Sequence, residues 1–249
     1  MANITKIEEL EGGEKCTIRG KVTYKSDKLT TKKSNRFEFS LYDGHYLRCV
    51  CFSYKVRNKY EELFKLIQAG EYYTIQNAEI EVNSEYHYLE INLKSNSKIT
   101  VCNDELNIPP HADIIGISDV VDLKFHLEKP SSKIISTAGF ITCIHEPEKR
   151  TLRNGEEEQL RKIEITHGNE NLFVTIWNNN PGYNIDFEVG NVVVVENCLL
   201  TEYDNELDVN VGQRHSKLTI NPDWIKLTVV IDEEPEIMAL GNELKILTF

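Results

Sequence analysis

From residue 15 to residue 25 apolar and polar side chains alternate, with Cys16, Ile18, Gly20 and Val22 on one side, the pattern of a strand with one wet face. The same period returns at 37–41 and 47–52, joined through Asp43-Gly44, a strong short-range hairpin signal. Then the period changes. Val56, Tyr60, Leu63, Phe64 and Ile67 share one helical face, so a helix is predicted over 55–67, ending before Gly70. Strand character resumes at 72–82 and 86–93. The second half repeats the order, with strands predicted at 134–144, 159–166, 172–177, 192–201 and 206–211 and a short, weak helix at 180–187.

Three landmarks measure the repeat. Gly44 to Gly168 spans 124 residues, Phe52 to Trp177 spans 125, and Gly70 to Gly190 spans 120. A near-constant offset points to two copies of one domain of about 100 to 120 residues, an ordinary domain size. Three strands, a helix and two strands in that length is the order of an OB-fold, the five-stranded Greek-key barrel. The expected fold class is therefore all-β with short capping helices, built as two tandem OB-fold barrels. The expected domains are 1–103 for the first barrel, 104–132 for a linker of which part packs on a barrel, 133–223 for the second barrel, and 224–249 for an extension. Within the extension Pro235 suits a helix start, and Ile237, Leu240, Leu244 and Leu247 line one face.

Composition narrows the function. The 249 residues are 27% charged and contain no run of about 18 apolar residues, so no membrane span and no membrane partner are expected. Met1 to Lys6 shows no apolar leader core, which makes a reducing cytosolic or nuclear compartment the default. The six cysteines contain no Cys-x-x-Cys pair, and no structural zinc, other metal or cofactor is expected. With no Gly-rich phosphate loop and no nucleophile or metalloprotease motif, an enzyme is not expected either.

Net charge is −12, which by itself argues against a nucleic-acid partner, but the charge is unevenly spread. Residues 1–103 carry +2 and residues 104–249 carry −14. Between residues 15 and 36 lie Lys15, Arg19, Lys21, Lys25, Lys28, Lys32, Lys33 and Arg36 against Asp27 alone. On an OB barrel that stretch forms the loop joining the first two strands, where cations would meet a phosphate backbone with Arg48 on the third strand. Phe52 and Tyr88 in the first copy, and Trp177 and Tyr203 in the second, are candidate stacking platforms for bases.

These residues resemble a known family, the large subunit of replication protein A, in its tandem central OB domains. The segments that carry the likeness are Lys21-Val22-Thr23-Tyr24-Lys25-Ser26, Phe39-Ser40-Leu41, Leu47-Arg48-Cys49-Val50-Cys51-Phe52 and Gly70-Glu71-Tyr72-Tyr73 for the first domain. Val174-Thr175-Ile176-Trp177 and Asn221-Pro222-Asp223 carry it for the second. The resemblance implies single-stranded DNA binding in replication, repair and recombination, a nuclear location, and replication or repair proteins or other OB-fold subunits as further partners. It implies stacking by Phe52, Tyr88, Trp177 and Tyr203, with polar and basic contacts from Thr30, Arg48 and Ser53 and from Arg161, Lys162 and Thr201. Where the family carries cations this chain has Leu29, Asn77 and Leu199, and Glu156-Glu157-Glu158 adds repulsion in the second domain. The rival expectation is a protein-interaction scaffold that keeps the fold and has lost nucleic acid, and the position of the acidic residues relative to the binding groove separates the two.

Overall fold

A computed structural model describes residues 4–30, 34–84, 88–102, 108–123, 133–152, 155–203, 206–212 and 215–227. The predicted helix in the C-terminal extension lies outside the described residues. The first barrel runs β1 (Lys15–Lys25), β2 (Leu29–Thr30), β3 (Asn35–Tyr42), β4 (Tyr46–Phe52), α1 (Ser53–Val56), α2 (Tyr60–Leu66), β5 (Tyr72–Val82), β6 (Leu89–Asn92) and β7 (Lys98–Val101). After α3 (Ile117–Leu123), the second barrel runs β8 (Lys133–Ile144), β9 (Glu148–Thr151), β10 (Glu157–His167), β11 (Glu170–Trp177), β12 (Val192–Tyr203), β13 (Glu206–Val211) and β14 (Lys217–Ile220).

In each half five strands close on themselves, in the order β1-β3-β4-β6-β5 and then β8-β10-β11-β13-β12, with the first and last of each ring paired. The protein is therefore two tandem OB-type barrels. The helix expected over 55–67 is present but broken into α1, a 3-10 turn at Arg57–Lys59 and α2, because Arg57 takes a positive φ of 55°. Its apolar face, Val56, Tyr60, Leu63 and Ile67, is buried in the first core. The weak helix expected over 180–187 is only a 3-10 turn, Pro181–Asn184, with the Asn180 side chain accepting from Gly182 N at 2.8 Å. In the second core Ile117 and Val120 of α3 are fully buried, so this part of the 104–132 segment packs as a plug of the second barrel. Ile115 bridges Thr137 in parallel, much as Ile4 bridges Thr17 in the first copy.

The duplication is also written in the backbone. Gly20 and Gly139 occupy matching points of β1 and β8. A Cβ on Gly20 would sit 2.8 Å from both the Leu41 side chain and the Tyr42 carbonyl, and one on Gly139 would sit 2.8 Å from Ile117 and 3.0 Å from the Thr166 carbonyl. Asn77 and Asn197, 120 residues apart, both adopt left-handed φ, 54° and 56°, where the β1–β5 and β8–β12 registers slip. Asparagine tolerates that conformation because its short amide bonds locally. Asn77 thus fills a bulge position in β5, a backbone reason for an asparagine where the resembled family carries a lysine.

The barrels meet along a polar seam. Glu38 of β3 is 3% exposed and takes His215 Nε2 at 3.2 Å, Arg48 Nη2 at 2.6 Å and Arg36 Nη2 at 3.3 Å. A carboxylate can only accept, so His215 carries its proton on Nε2 and accepts through Nδ1 from Ser40 Oγ at 2.8 Å. Asn197 Nδ2 of β12 donates in turn to Ser40 Oγ at 3.3 Å. A second buried carboxylate, Glu196, pairs with Lys217 at 3.1 Å and accepts from Ala112 N at 3.3 Å and from Tyr46 Oη, across the seam, at 3.5 Å. Burial and the neighbouring Glu196 push the Tyr46 phenol well up.

Burial alone would raise the Glu38 carboxyl, but the His215 hydrogen bond and the charges of Arg48 and Arg36 outweigh it and bring it from 4.5 to about 2. Burial, reinforced by Arg48, pushes His215 below its ordinary 6.5 despite Glu38. Both groups are therefore depressed in the folded state, so each contributes stability above its unfolded value that is lost as pH falls.

Gly20→Ala and Gly139→Ala each force backbone or core to shift and are expected to cost about 1–3 kcal/mol in urea unfolding, whereas Gly13→Ala, which meets nothing within 4 Å but sits at positive φ, tests conformational strain alone. Glu38→Gln leaves the largely buried Arg48 guanidinium without its charged partner, and a loss of about 3 kcal/mol is expected at pH 7. That gap narrows as pH drops from 4.5 toward 2, so parallel pH profiles of the two proteins would refute the role given to this carboxylate.

Candidate nucleic-acid interface

Strand alternation sets the outer face of the first barrel. Arg36, Glu38, Ser40 and Tyr42 of β3 stand opposite Phe52, Val50, Arg48 and Tyr46 of β4, while Phe37, Phe39, Leu41, Cys49 and Cys51 fill the core. This is the face on which binding was expected, and much of it is sealed: Glu38, Ser40, Tyr42 and Val50 are all buried, with Glu38 and Ser40 held by the second barrel. Two parts remain accessible. One is a patch where Phe52 leans on Tyr54 at 5.5 Å between ring centroids and carries Lys55 Nζ at 5.4 Å, beside Arg36 and the helix-opening Ser53. The other is a cleft of about 430 Å³ at the seam, a size typical of ligand-binding clefts.

Arg48, Tyr88, Trp177 and Thr201 all line that cleft, so four of the residues singled out in the sequence converge from both barrels. Arg48 is already engaged there. Besides Glu38, it donates through Nη1 to the Tyr88 hydroxyl, and its guanidinium carbon lies 5.7 Å from the Tyr88 ring centroid. Burial lifts the Tyr88 phenol to about 12, so it stays protonated through the physiological range. Only 6% of Tyr88 is exposed, so it can offer a ring edge rather than a full stacking platform.

In the second barrel the outer rows are Leu160, Lys162, Glu164 and Thr166 against Trp177, Thr175, Phe173 and Asn171, followed by Asp208 and Asn210 of β13 and Leu199 and Thr201 of β12. Trp177 is aimed by its neighbours. Its Nε1 donates to Asn210 Oδ1 at 3.2 Å, Asn210 Nδ2 donates to Thr201 Oγ1 at 2.9 Å, and the indole lies 3.2 Å from where a Cβ on Gly212 would stand. Thr175 Oγ1 donates to Asp208 Oδ2 at 2.7 Å, and burial raises that carboxyl. Lys162 Nζ sits 4.3 Å from the Phe173 ring centroid, a cation and an aromatic together on the open face.

Several expected contacts lie elsewhere. Arg161 alternates away from Lys162 and donates to the carbonyls of Tyr183 at 2.9 Å and Ile185 at 2.8 Å with Phe187 beneath it, so it ties the 3-10 turn to the barrel rather than facing a ligand. Several cations between residues 15 and 36 are claimed by the fold. Lys28 pairs with Glu61 at 2.6 Å over the Phe64 ring, Lys25 donates to the Phe64 carbonyl, and Arg19 donates to Thr74 Oγ1 at 3.1 Å. Thr30 is exposed on β2, opposite Asn35. Lys32, Lys33 and the Tyr203 side chain lie outside the described residues.

Tyr54, 61% exposed, and Phe173 were not singled out by the sequence reading. For Phe173 parity held the signal, since it shares its face of β11 with Trp177, whereas Tyr54 lies in α1, where strand parity does not apply. The acidic side chains also declare their place. Glu158 lines the cleft, and Glu164 and Asp208 lie on the second barrel's outer rows, so part of the −14 charge sits on the candidate interface itself.

No family model matches the chain, and no curated protein matches it. Among solved structures, a replication protein A heterotrimer bound to ssDNA is 18% identical with a TM-score of 0.46, over 88% of this chain and 52% of that one, so this chain spans about half the length of its match. The Ifi202 HINa domain in complex with 20bp dsDNA is 16% identical with a TM-score of 0.43, over 84% and 98% of the two chains. A murine DNA binding protein bound with ds DNA is 13% identical with a TM-score of 0.44, over 82% and 94%.

Proposed function

We propose that this protein binds single-stranded DNA through both barrels, in the manner of the replication protein A family it resembles in sequence, and serves DNA replication, repair or recombination in the nucleus. The observation that carries the reading is the seam cleft, where Trp177, Tyr88, Arg48 and Thr201 from the two barrels line one space. Bases stack at Trp177 and Phe173 on one side and at Phe52 and Tyr54 on the other. Two weak sites on one chain reinforce each other, since the second contact becomes intramolecular.

The energetics differ from those of a cation-driven binder. Lys25, Lys28, Arg36 and Arg48 are already bonded within the fold, and Glu158, Glu164 and Asp208 repel phosphate, so stacking supplies most of the affinity. The same acidic side chains favour the second reading, a scaffold that binds a basic protein segment.

Fluorescence anisotropy of labelled oligo-dT of about 20 nucleotides at two salt concentrations separates the readings. Each stacking ring is worth on the order of 1–3 kcal/mol, so Phe52→Ala/Trp177→Ala is expected to lose at least about thirtyfold in affinity. The salt slope is expected to be no steeper than about −2, corresponding to roughly three phosphate contacts. Absence of binding at low salt overturns the nucleic-acid reading in favour of the scaffold. Lys162→Ala is expected to weaken binding at unchanged melting temperature, and Arg161→Ala to lower the melting temperature, because the first faces solvent and the second holds two carbonyls.

A further inference from the structure

The outer face of the second barrel carries a cysteine and a histidine that the nucleic-acid reading does not use, beside the acidic Glu164. Cys143, near the end of β8, stands opposite Glu164 of β10, and His145 follows Cys143 by two positions on the same side. Their ligand atoms all lie within 4.8 Å of one another, and His145 Nε2 is 2.8 Å from Glu164 Oε1. Among the described residues this is the one convergence of three such groups. The sequence reading found no cysteine–histidine cluster because the third ligand arrives from another strand.

We infer that Cys143, His145 and Glu164 form a binding site for a divalent zinc-like metal ion, with its fourth position open to solvent on the outer face of the second barrel. The donor set is one thiolate, one imidazole and one carboxylate. A thiolate selects against magnesium and calcium and favours zinc or cobalt, and three protein ligands with a vacant fourth position is the arrangement of open zinc sites. The geometry is within reach. Tetrahedral zinc needs its ligand atoms roughly 3.3–3.6 Å apart, so the His145–Glu164 pair opens by a few tenths of an ångström and the thiol closes by side-chain rotation.

The backbone holds the three in place. The β8–β10 register slips between Glu164 and Ile165, which leaves Thr142 as an extra residue, and such a bulge re-aims the side chains next to it. Beyond the bulge, His145 N donates to the Lys162 carbonyl at 2.9 Å and Thr142 Oγ1 to the Glu164 carbonyl at 3.4 Å. All three ligand residues are half-buried, accessible to an ion yet shielded from bulk exchange on one side. Binding releases the thiol proton, and a +2 ion balances the thiolate and the carboxylate, so the face beside Lys162 and Phe173 is left less negative. The inference stands independently of whether nucleic acid binds.

The test uses the full chain, reduced and free of tags, titrated with Co²⁺. One equivalent is expected to produce a thiolate-to-cobalt charge-transfer band in the near ultraviolet and the visible bands of tetrahedral cobalt, both bleached by Zn²⁺. Cys143→Ser is expected to abolish the charge-transfer band. His145→Gln and Glu164→Gln are expected to keep it while weakening affinity at least about tenfold. Circular dichroism melts of each apo variant confirm folding, and the two conservative variants report even where Cys143→Ser does not fold. Persistence of the band in Cys143→Ser places the metal on another cysteine and overturns the site. So does a native chain that binds no stoichiometric cobalt, in which case His145 and Glu164 form an ordinary surface pair.

Discussion

The arrangement of this protein depends on two carboxylates buried where its barrels meet. Glu38 belongs to the first barrel and takes a donor from the second, His215; Glu196 belongs to the second and takes one from the first, Tyr46. A buried charge left without partners is costly, so each acid demands that the opposite barrel stay in place. The two contacts lie apart on the seam, and together they fix orientation where a single contact would leave a pivot. The consequences spread outward. Much of the β3–β4 face is sealed, Arg48 is turned onto Glu38, and the remaining space between the barrels becomes the cleft.

That constraint also bears on the proposed binding of nucleic acid. A cation already hydrogen-bonded to a carboxylate releases few counterions when a phosphate approaches, because it must first give up a partner of the same sign as the phosphate. Aromatic rings suffer no such competition. Trp177, held by Asn210 and backed by Gly212, is oriented before any ligand arrives, so little conformational freedom is lost on stacking. The balance of an acidic chain with aromatic, amide-lined surfaces is coherent with base contacts outweighing backbone contacts.

The barrels were legible in the sequence because strand alternation, turn glycines and the helical period at 55–67 are local signals. Strands β2, β7, β9 and β14 were missed; none is longer than four residues, and each takes its place by pairing with a longer strand, β3, β5, β10 or β12. The site was legible in part. Phe52, Trp177, Lys162 and Thr201 face outward as their parity requires, whereas Arg161 alternates to the other side of β10 and is held by the Tyr183 and Ile185 carbonyls. The cations Lys28 and Arg19 read as available because their partners are distant in sequence: Lys28 meets Glu61, 33 residues on, and Arg19 meets Thr74, 55 residues on. No composition or periodicity carries such pairings.

Register shows where the two copies diverged. Pairing with the strand-end aromatics Phe52 and Trp177 equates Arg36 with Leu160 and Glu38 with Lys162, and the parallel pairings to Glu90 and Asp208 equate Arg48 with Phe173. The buried Glu38–Arg48 ion pair of the first copy thus stands where the second has Lys162 over Phe173. Beside the matching asparagines of the bulges, Gln76 in the first copy stands where Glu196 does in the second. Backbone requirements, a glycine at the crowded corner and an asparagine at left-handed φ, were kept in both. The side chains that build the seam were not. Each seam carboxylate is particular to one copy: Glu38 aligns with Lys162, and Glu196 with Gln76. The asymmetry that closes one binding face is the same one that leaves the other, with its lysine and aromatic ring, open.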